Sequence, residues 1–489
     1  MPSRSALSAS ATWLLLAFHA DVVVAADPVP LLNAQLQSVQ WNGIGRLSTQ
    51  HGTHQCIATL LDTREPSGHS SGPAYVVTAA HCLDPRNGVV AHNVPAEGSV
   101  AFNYFIDTSE QRVTFALKQR VWSSMQGTDL ALLELDASLQ EVMAQGIEPL
   151  RLGERPDTAA PVMVIGEPSV PDEGLRLMRC TQQRTSHAIE YPWVWRDIER
   201  NDCAGIAEGA SGSPVISEDG QRLIAVINSV GVADSTRCER NSPCAFDHAE
   251  AVTGQALNYA MPVQRLSGCW RQGRADLENP DCTLLPAVHI EVQERIAFMR
   301  KLALDANGQI EAPTWGMTFA LDTPRYRYKT VQDPKACEDP LHYSGTIEAA
   351  QNRIDTPIGT TPGWYFLCLI GVEGADQRPS PGLMANSLSL PVNLLPAAPV
   401  PDPDVSIRRL EDASLEVTWT RHPPDLVRYF VKRGPPQSTD CENPSGYRRA
   451  RHEVYTFKPQ QLPLKLCTRG EDINGSHSAV RTDHLLPAP

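Results

Sequence analysis

Three short segments carry side chains that could act together on an acyl group. Val76-Val77-Thr78-Ala79-Ala80-His81-Cys82 closes an apolar run on a histidine, and Thr128-Asp129-Leu130-Ala131-Leu132-Leu133 opens another on an aspartate. Gly209-Ala210-Ser211-Gly212-Ser213-Pro214-Val215 sets a serine in a glycine-bounded turn. A serine hydroxyl is a weak nucleophile at neutral pH and needs a base within hydrogen-bond reach. His81, with an ordinary pKa of about 6.5, can take that proton and later return it to a leaving group. Asp129 can hold the imidazole in one tautomer and stabilise its charged form. Each segment alone also fits a plain structural turn or strand end. Together, in this order, they describe nucleophilic catalysis.

The order histidine, aspartate, serine resembles that of the trypsin-like serine proteases of the chymotrypsin fold, over residues 40 to 265. Within that family the serine motif is similar to the bacterial glutamyl-endopeptidase-like branch. The resemblance implies a double β-barrel and an acyl-enzyme route through His81, Asp129 and Ser211. It also implies an oxyanion hole from Gly209 and Ser211, a protein or peptide substrate, and no cofactor or metal. The alternative is a scaffold that keeps these residues but serves as an extracellular binding or adhesion protein. Ala210 stands where zymogens of the family carry the aspartate that receives a freed N-terminal amine, so that switch is not expected. The pocket wall is expected at Ile227, Asn228, Ser229 and Val230, with a small or apolar P1 preference. No histidine lies on that strand, which speaks against glutamate, and Asp202 reaches the pocket only if the alignment shifts.

The elements that must position these residues read as β-structure. Tyr75 to Thr78, Val113 to Leu117, Leu130 to Leu135, Val162 to Ile165 and Leu223 to Ile227 are β-rich runs separated by turn residues. A helical tendency is read only near Val292 to Leu304. After Thr314 a repeat emerges: Cys337-Glu338-Asp339-Pro340 is echoed 104 positions later by Cys441-Glu442-Asn443-Pro444. Met317, Phe319 and Leu321, like Leu415, Val417 and Trp419, alternate with polar or small residues as strands with one buried face do. Repeats of about 100 residues suit β-sandwiches, and these resemble fibronectin type III domains. Pro391, Pro396, Pro399, Pro401 and Pro403 read as a stiff linker between the copies. The expected fold is all-β, a double barrel followed by two sandwiches. Its divisions are an export signal (1–26), the protease domain (27–285), a connector (286–311) and sandwiches at 312–398 and 402–489.

The signal is read from Arg4, the apolar stretch Thr12 to Phe18 and the small residues Val24-Ala25-Ala26. The twelve cysteines, with no C-x-x-C, suit an oxidising compartment, so the chain is expected to be secreted or periplasmic. The family resemblance implies Cys56–Cys82 and Cys180–Cys203, or alternatively Cys203–Cys238. Proximity suggests Cys238–Cys244 and Cys269–Cys282, and the repeats suggest Cys337–Cys368 and Cys441–Cys467. A net charge of -14 without a clustered basic run speaks against nucleic-acid binding. Beyond the N-terminal segment, no stretch approaches the roughly 18 apolar residues of a membrane span. The sandwiches are expected to separate from catalysis and to dock an unknown protein or surface ligand.

Overall fold

The computed structural model describes residues 27–49, 55–65, 72–166, 174–232, 238–247, 250–253, 256–294, 297–305 and 307–488. The expected export signal lies outside them. Six strands close the first barrel: β1 (Ile44–Thr49), β2 (Cys56–Leu60), β3 (Pro73–Thr78), β4 (Gly98–Phe102), β5 (Val113–Ser124) and β6 (Leu130–Ser138). Pairing runs β1-β2-β3-β6-β5-β4 and returns to β1, antiparallel throughout. The second barrel comprises β7 (Ala160–Gly166), β8 (Arg176–Arg184), β9 (Glu199–Asn201), β10 (Pro214–Ser217), β11 (Arg222–Val230) and β12 (Asn258–Pro262). Its ring, β7-β8-β9-β12-β11-β10, repeats the order of the first. Closure removes the open edges of each sheet. This is the chymotrypsin-like double barrel.

The first barrel is filled by side chains such as Ile44, Leu60, Val77, Val100, Phe102 and Leu132, all buried. The second encloses Val162, Val164, Val215, Ala225 and Ile227. Between β8 and β9 the chain projects a hairpin, His187–Glu190 and Trp193–Arg196, which a further strand, Cys244–Asp247, extends into a separate sheet. The structure pairs all cysteines: Cys56–Cys82, Cys180–Cys203, Cys238–Cys244, Cys269–Cys282, Cys337–Cys368 and Cys441–Cys467. The Cys203–Cys238 alternative does not form.

Two further pairs of sheets follow. In the last one, Val405–Arg409, Leu415–Trp419 and Val454–Phe457 form three strands in that order. The facing sheet runs Arg448–Arg449, Arg428–Gly434, Leu464–Glu471, Arg481–Leu485. The preceding unit repeats this plan, with Ile290–Val292, Met317–Leu321 and Arg353–Ile354 as its three-stranded sheet. The stretch expected to be a connector therefore supplies the first strand of this sandwich. Met299–Lys301 adds a parallel edge strand beside Leu388–Leu395, so the expected helical tendency near Val292 to Leu304 gives strands instead. The reason is that Leu302 is buried in the sandwich core and Val292 packs against it, and tertiary burial overrides local preference. The repeat extends to detail. Lys329 Nζ donates to the carbonyls of Asp339 and Leu341, and Lys432 Nζ to those of Asp440 and Asn443. The hydroxyls of Tyr343 and Tyr447 donate to the carbonyls of Cys337 and Cys441.

The first sandwich packs on the hairpin sheet. The ring of Phe246 meets those of Phe366 and Trp364 at 5.3 and 6.3 Å, and Tyr191 meets Phe298 at 5.1 Å. Buried Arg196 donates to Ser387 Oγ at 2.7 Å and to the carbonyls of Ala385 and Ser387 at 3.0 and 2.9 Å. Pro391, read as part of the linker, lies instead within the strand Leu388–Leu395, opposite Phe366; the remaining prolines separate the two sandwiches only, so the easy detachment expected for the whole C-terminal half is revised. Phe366→Ala removes a ring from this shared cluster and is expected to cost about 3–5 kcal/mol. Amide exchange in residues 187–196 should accelerate along with that in the sandwich. Unchanged protection of the hairpin would show that the two parts stand independently.

Candidate active site

Strand register sets the first two groups. In the β3–β6 pair Thr78 lies opposite Ala131, so the residues just beyond, Ala80-His81 and Asp129, leave the barrel at the same end. His81 sits in a short 3₁₀ turn, Ala80–Cys82, pinned to β2 by the Cys56–Cys82 disulfide. Asp129 is buried and meets His81 twice: Oδ1 accepts from its backbone N–H at 2.8 Å, and Oδ2 lies 2.6 Å from its Nδ1. Glu134, on the same strand, is taken up by Lys118 and Gln119 instead. The bonded sulfurs of Cys56 and Cys82 lie close to His81 but, being joined to each other, are spent as metal ligands.

The serine comes from the other barrel. Ser211 Oγ is 2.9 Å from His81 Nε2, on the ring edge away from Asp129. Its loop is stitched to both barrels: Ile57 N–H donates to Ser211 O at 2.8 Å, and Gly212 N–H donates to Ile227 O at 2.7 Å. Gly212, at φ +80°, lies so near Ile57 O and Thr78 Oγ1 that a Cβ would collide with both. Gly209 has φ +100°, a conformation that favours glycine, and no protein atom lies within 4 Å of where its Cβ would stand. Among the described residues, the N–H groups of Gly209 and Ser211 find no protein acceptor. Ala210 is buried in the second barrel's core.

A cavity of about 330 Å³ opens over these groups, and Ile227, Asn228, Ser229 and Val230 all line it. Asp202 does not: its carboxylate accepts from Thr181 N–H on the surface. The sequence reading missed the rest of the lining, which includes Glu190, Trp193 and Trp195 of the hairpin with Met125 and Arg240. Glu190 is buried, with Oε2 accepting from Trp195 Nε1 at 2.7 Å. Its Oε1 accepts from Ser229 Oγ and Asn241 N–H, both at 2.9 Å. The available signal was a carboxylate inside the apolar run Ala188 to Trp195, since such groups are rarely buried without a purpose.

Charge in the cleft works on the base. Burial opposes the imidazolium form of His81, but the Asp129 charge and hydrogen bond, with Glu190 behind them, raise its pKa above the ordinary value. Arg240 pulls weakly the other way. Burial pushes the Glu190 carboxyl up, against its three hydrogen bonds and His81. A base must be neutral to accept a proton, so activity should fall on the acid side as His81 becomes charged. Glu190→Gln removes a charge that favours imidazolium, so the acid limb of kcat/KM is expected to move to lower pH. A limb that stays in place would show that the Glu190 charge does not reach His81.

Comparison with solved structures finds similarity to several proteases. One is a thermostable serine protease, AL20, from an extremophilic microorganism, at 17% identity and TM-score 0.31, covering 46% of this chain and 92% of that one. Protease Anisep from Arthrobacter nicotinovorans gives 14% identity and TM-score 0.29, covering 46% and 91%. The serine protease domain of the Sesbania mosaic virus polyprotein gives 12% and 0.27, covering 46% and 90%. No curated protein matches the chain. The family model of the trypsin-like peptidase domain matches residues 66–226, a span that holds His81, Asp129 and Ser211. Over those residues, the chain carries a trypsin-like peptidase domain.

Proposed function

We propose that this chain is a secreted or periplasmic serine endopeptidase acting through Ser211, His81 and Asp129. The observation that carries the reading is the unbroken line from Asp129 Oδ2 through the His81 ring to Ser211 Oγ, at 2.6 and 2.9 Å. In the proposed reaction Ser211 Oγ attacks the carbonyl carbon of the scissile peptide, and its proton passes to His81 Nε2. The resulting oxyanion is received by the N–H groups of Gly209 and Ser211. His81 then gives its proton to the leaving amine as the C–N bond breaks, leaving an ester on Ser211. Water, deprotonated by the same imidazole, hydrolyses that ester and restores the hydroxyl. Asp129 holds Nδ1–H throughout.

The finer assignments rest on particular residues. A small or apolar P1 side chain suits the Ile227 and Val230 wall. The Gly209 to Val215 motif and Ala210 favour the glutamyl-endopeptidase-like branch, while the absence of histidine from Arg222–Val230 favours a P1 other than glutamate. Export is supported by six disulfides. The fibronectin type III reading of the two sandwiches is supported by their shared strand order, three strands facing four. In the first, a parallel fifth strand is added to the larger sheet. Among the described residues, no helix is long and apolar enough to cross a membrane.

Ser211→Ala deletes only the nucleophilic oxygen. It is expected to abolish labelling by a fluorophosphonate and to lower kcat by about 10⁶, with an unchanged melting profile. Failure of the unaltered chain to react with the probe, while folded, would favour the catalytically silent binding protein.

A further inference from the structure

Beside the catalytic cavity lies a second one of about 440 Å³. Pro85, Trp193 and Arg240 line both, so the cleft that begins at Ser211 continues past the indole of Trp193. Its far wall is not made by the barrels. Side chains alternate along a strand, and with Ile290 buried in the sandwich core, its neighbours Glu291 and His289 turn outward to line the cavity. Leu390, on the strand Leu388–Leu395, forms the floor on that side. Facing it is the hairpin tip, held by two backbone contacts. Asn87 Nδ2 donates to Pro192 O at 2.9 Å, and Tyr191 N–H donates to Cys238 O at 2.8 Å.

We propose that this junction is a substrate-reading subsite completed by the first sandwich. A segment of the polypeptide being cleaved, some residues away from the scissile bond, runs along Trp193 and places a bulky apolar side chain between Pro192 and Leu390. The inference rests on the peptidase reading above. The occupant follows from continuity, because a polymeric substrate must leave the catalytic cavity, and this space opens directly from it. It follows also from chemistry. Apolar walls flanked by polar groups, here Arg240, Glu291 and Gln293, suit an extended chain that buries a side chain while its backbone stays hydrogen-bonded. The sandwich then contributes to selection rather than acting as a spacer.

The test compares two substrates on one protein. One is a short acyl amino-acid ester confined to the catalytic cavity. The other is a set of extended peptides with a single Leu, Phe or Trp at varied distance from the scissile bond. The unaltered chain is expected to favour peptides with the bulky residue at one fixed distance. Gln293→Trp, which fills the second cavity from the exposed position just after the strand Ile290–Val292, should lower kcat/KM for those peptides by about ten- to a hundredfold. Ester hydrolysis should be unchanged, and Glu291→Trp, filling the same cavity from the neighbouring strand, should give the same result, so that either variant decides if the other misfolds. Equal losses on ester and peptide, or no loss on any peptide, would overturn the proposal. A change in oligomeric state on filling the cavity would make a second copy the occupant and overturn it too. Absence of ester turnover in the unaltered chain would instead sink the peptidase reading, and this inference with it.

Discussion

The candidate active site depends on one stitch across the seam of the two barrels. Ile57 N–H holds the carbonyl of Ser211, while Gly212 lies against Ile57 O and Thr78 Oγ1 with no room for a side chain. The first barrel supplies His81 and Asp129, the second supplies Ser211, and hydrogen-bond transfer tolerates only a few tenths of an ångström. Two separately closed barrels do not fix that separation by themselves. The stitch does, because it ties the Ser211 peptide to the strand that the Cys56–Cys82 disulfide joins to the histidine turn. This contact cannot move without moving Ser211 relative to His81.

The electrostatics of the cleft follow from what that seam encloses. Asp129 is buried and hydrogen-bonded to both backbone and ring of His81, an arrangement that favours one imidazole tautomer. In the lining of the same cavity, Glu190 is a second buried carboxylate, held by hydrogen bonds from Trp195, Ser229 and Asn241. An acid placed so is costly unless its oxygens are satisfied, and the hairpin and pocket strand satisfy them together. The hairpin therefore shares the cavity of His81, Asp129 and Ser211 and is not an ornament of the second barrel.

That hairpin is in turn held by the C-terminal half. Arg196 reaches the sandwich through its guanidinium and the catalytic loop through its backbone, donating its N–H to Gly127 O at 2.9 Å, two residues before Asp129. The second sandwich is tied more lightly, by Lys301 to Asp425 and Asp472 and by Asn474 to Lys301 O. Contact with the barrels thus runs through the first repeat, whose aromatic cluster joins Phe246 to Trp364 and Phe366.

The β-character of the chain and the positions of its chemical groups were legible in the residues alone. Val76–Thr78 and Leu130–Leu133 are apolar runs that must be buried strands, and a polar residue just beyond each one has to emerge at a barrel end. The repeat around Cys337 and Cys441 was legible for the same local reason, since a short motif carries its own loop. What depends on burial between distant segments was not legible. Ile290–Val292 is too short to show a period, and it becomes a strand only because Met317–Leu321 and a hydrophobic core receive it. Glu190 stands inside an apolar run of the sequence, but only the fold sets Ser229 and Asn241, 39 and 51 positions away, against its carboxylate. Local patterns report which side chains want to be buried. Only the tertiary structure decides which of them are buried together, and the far wall of this cleft is made of such meetings.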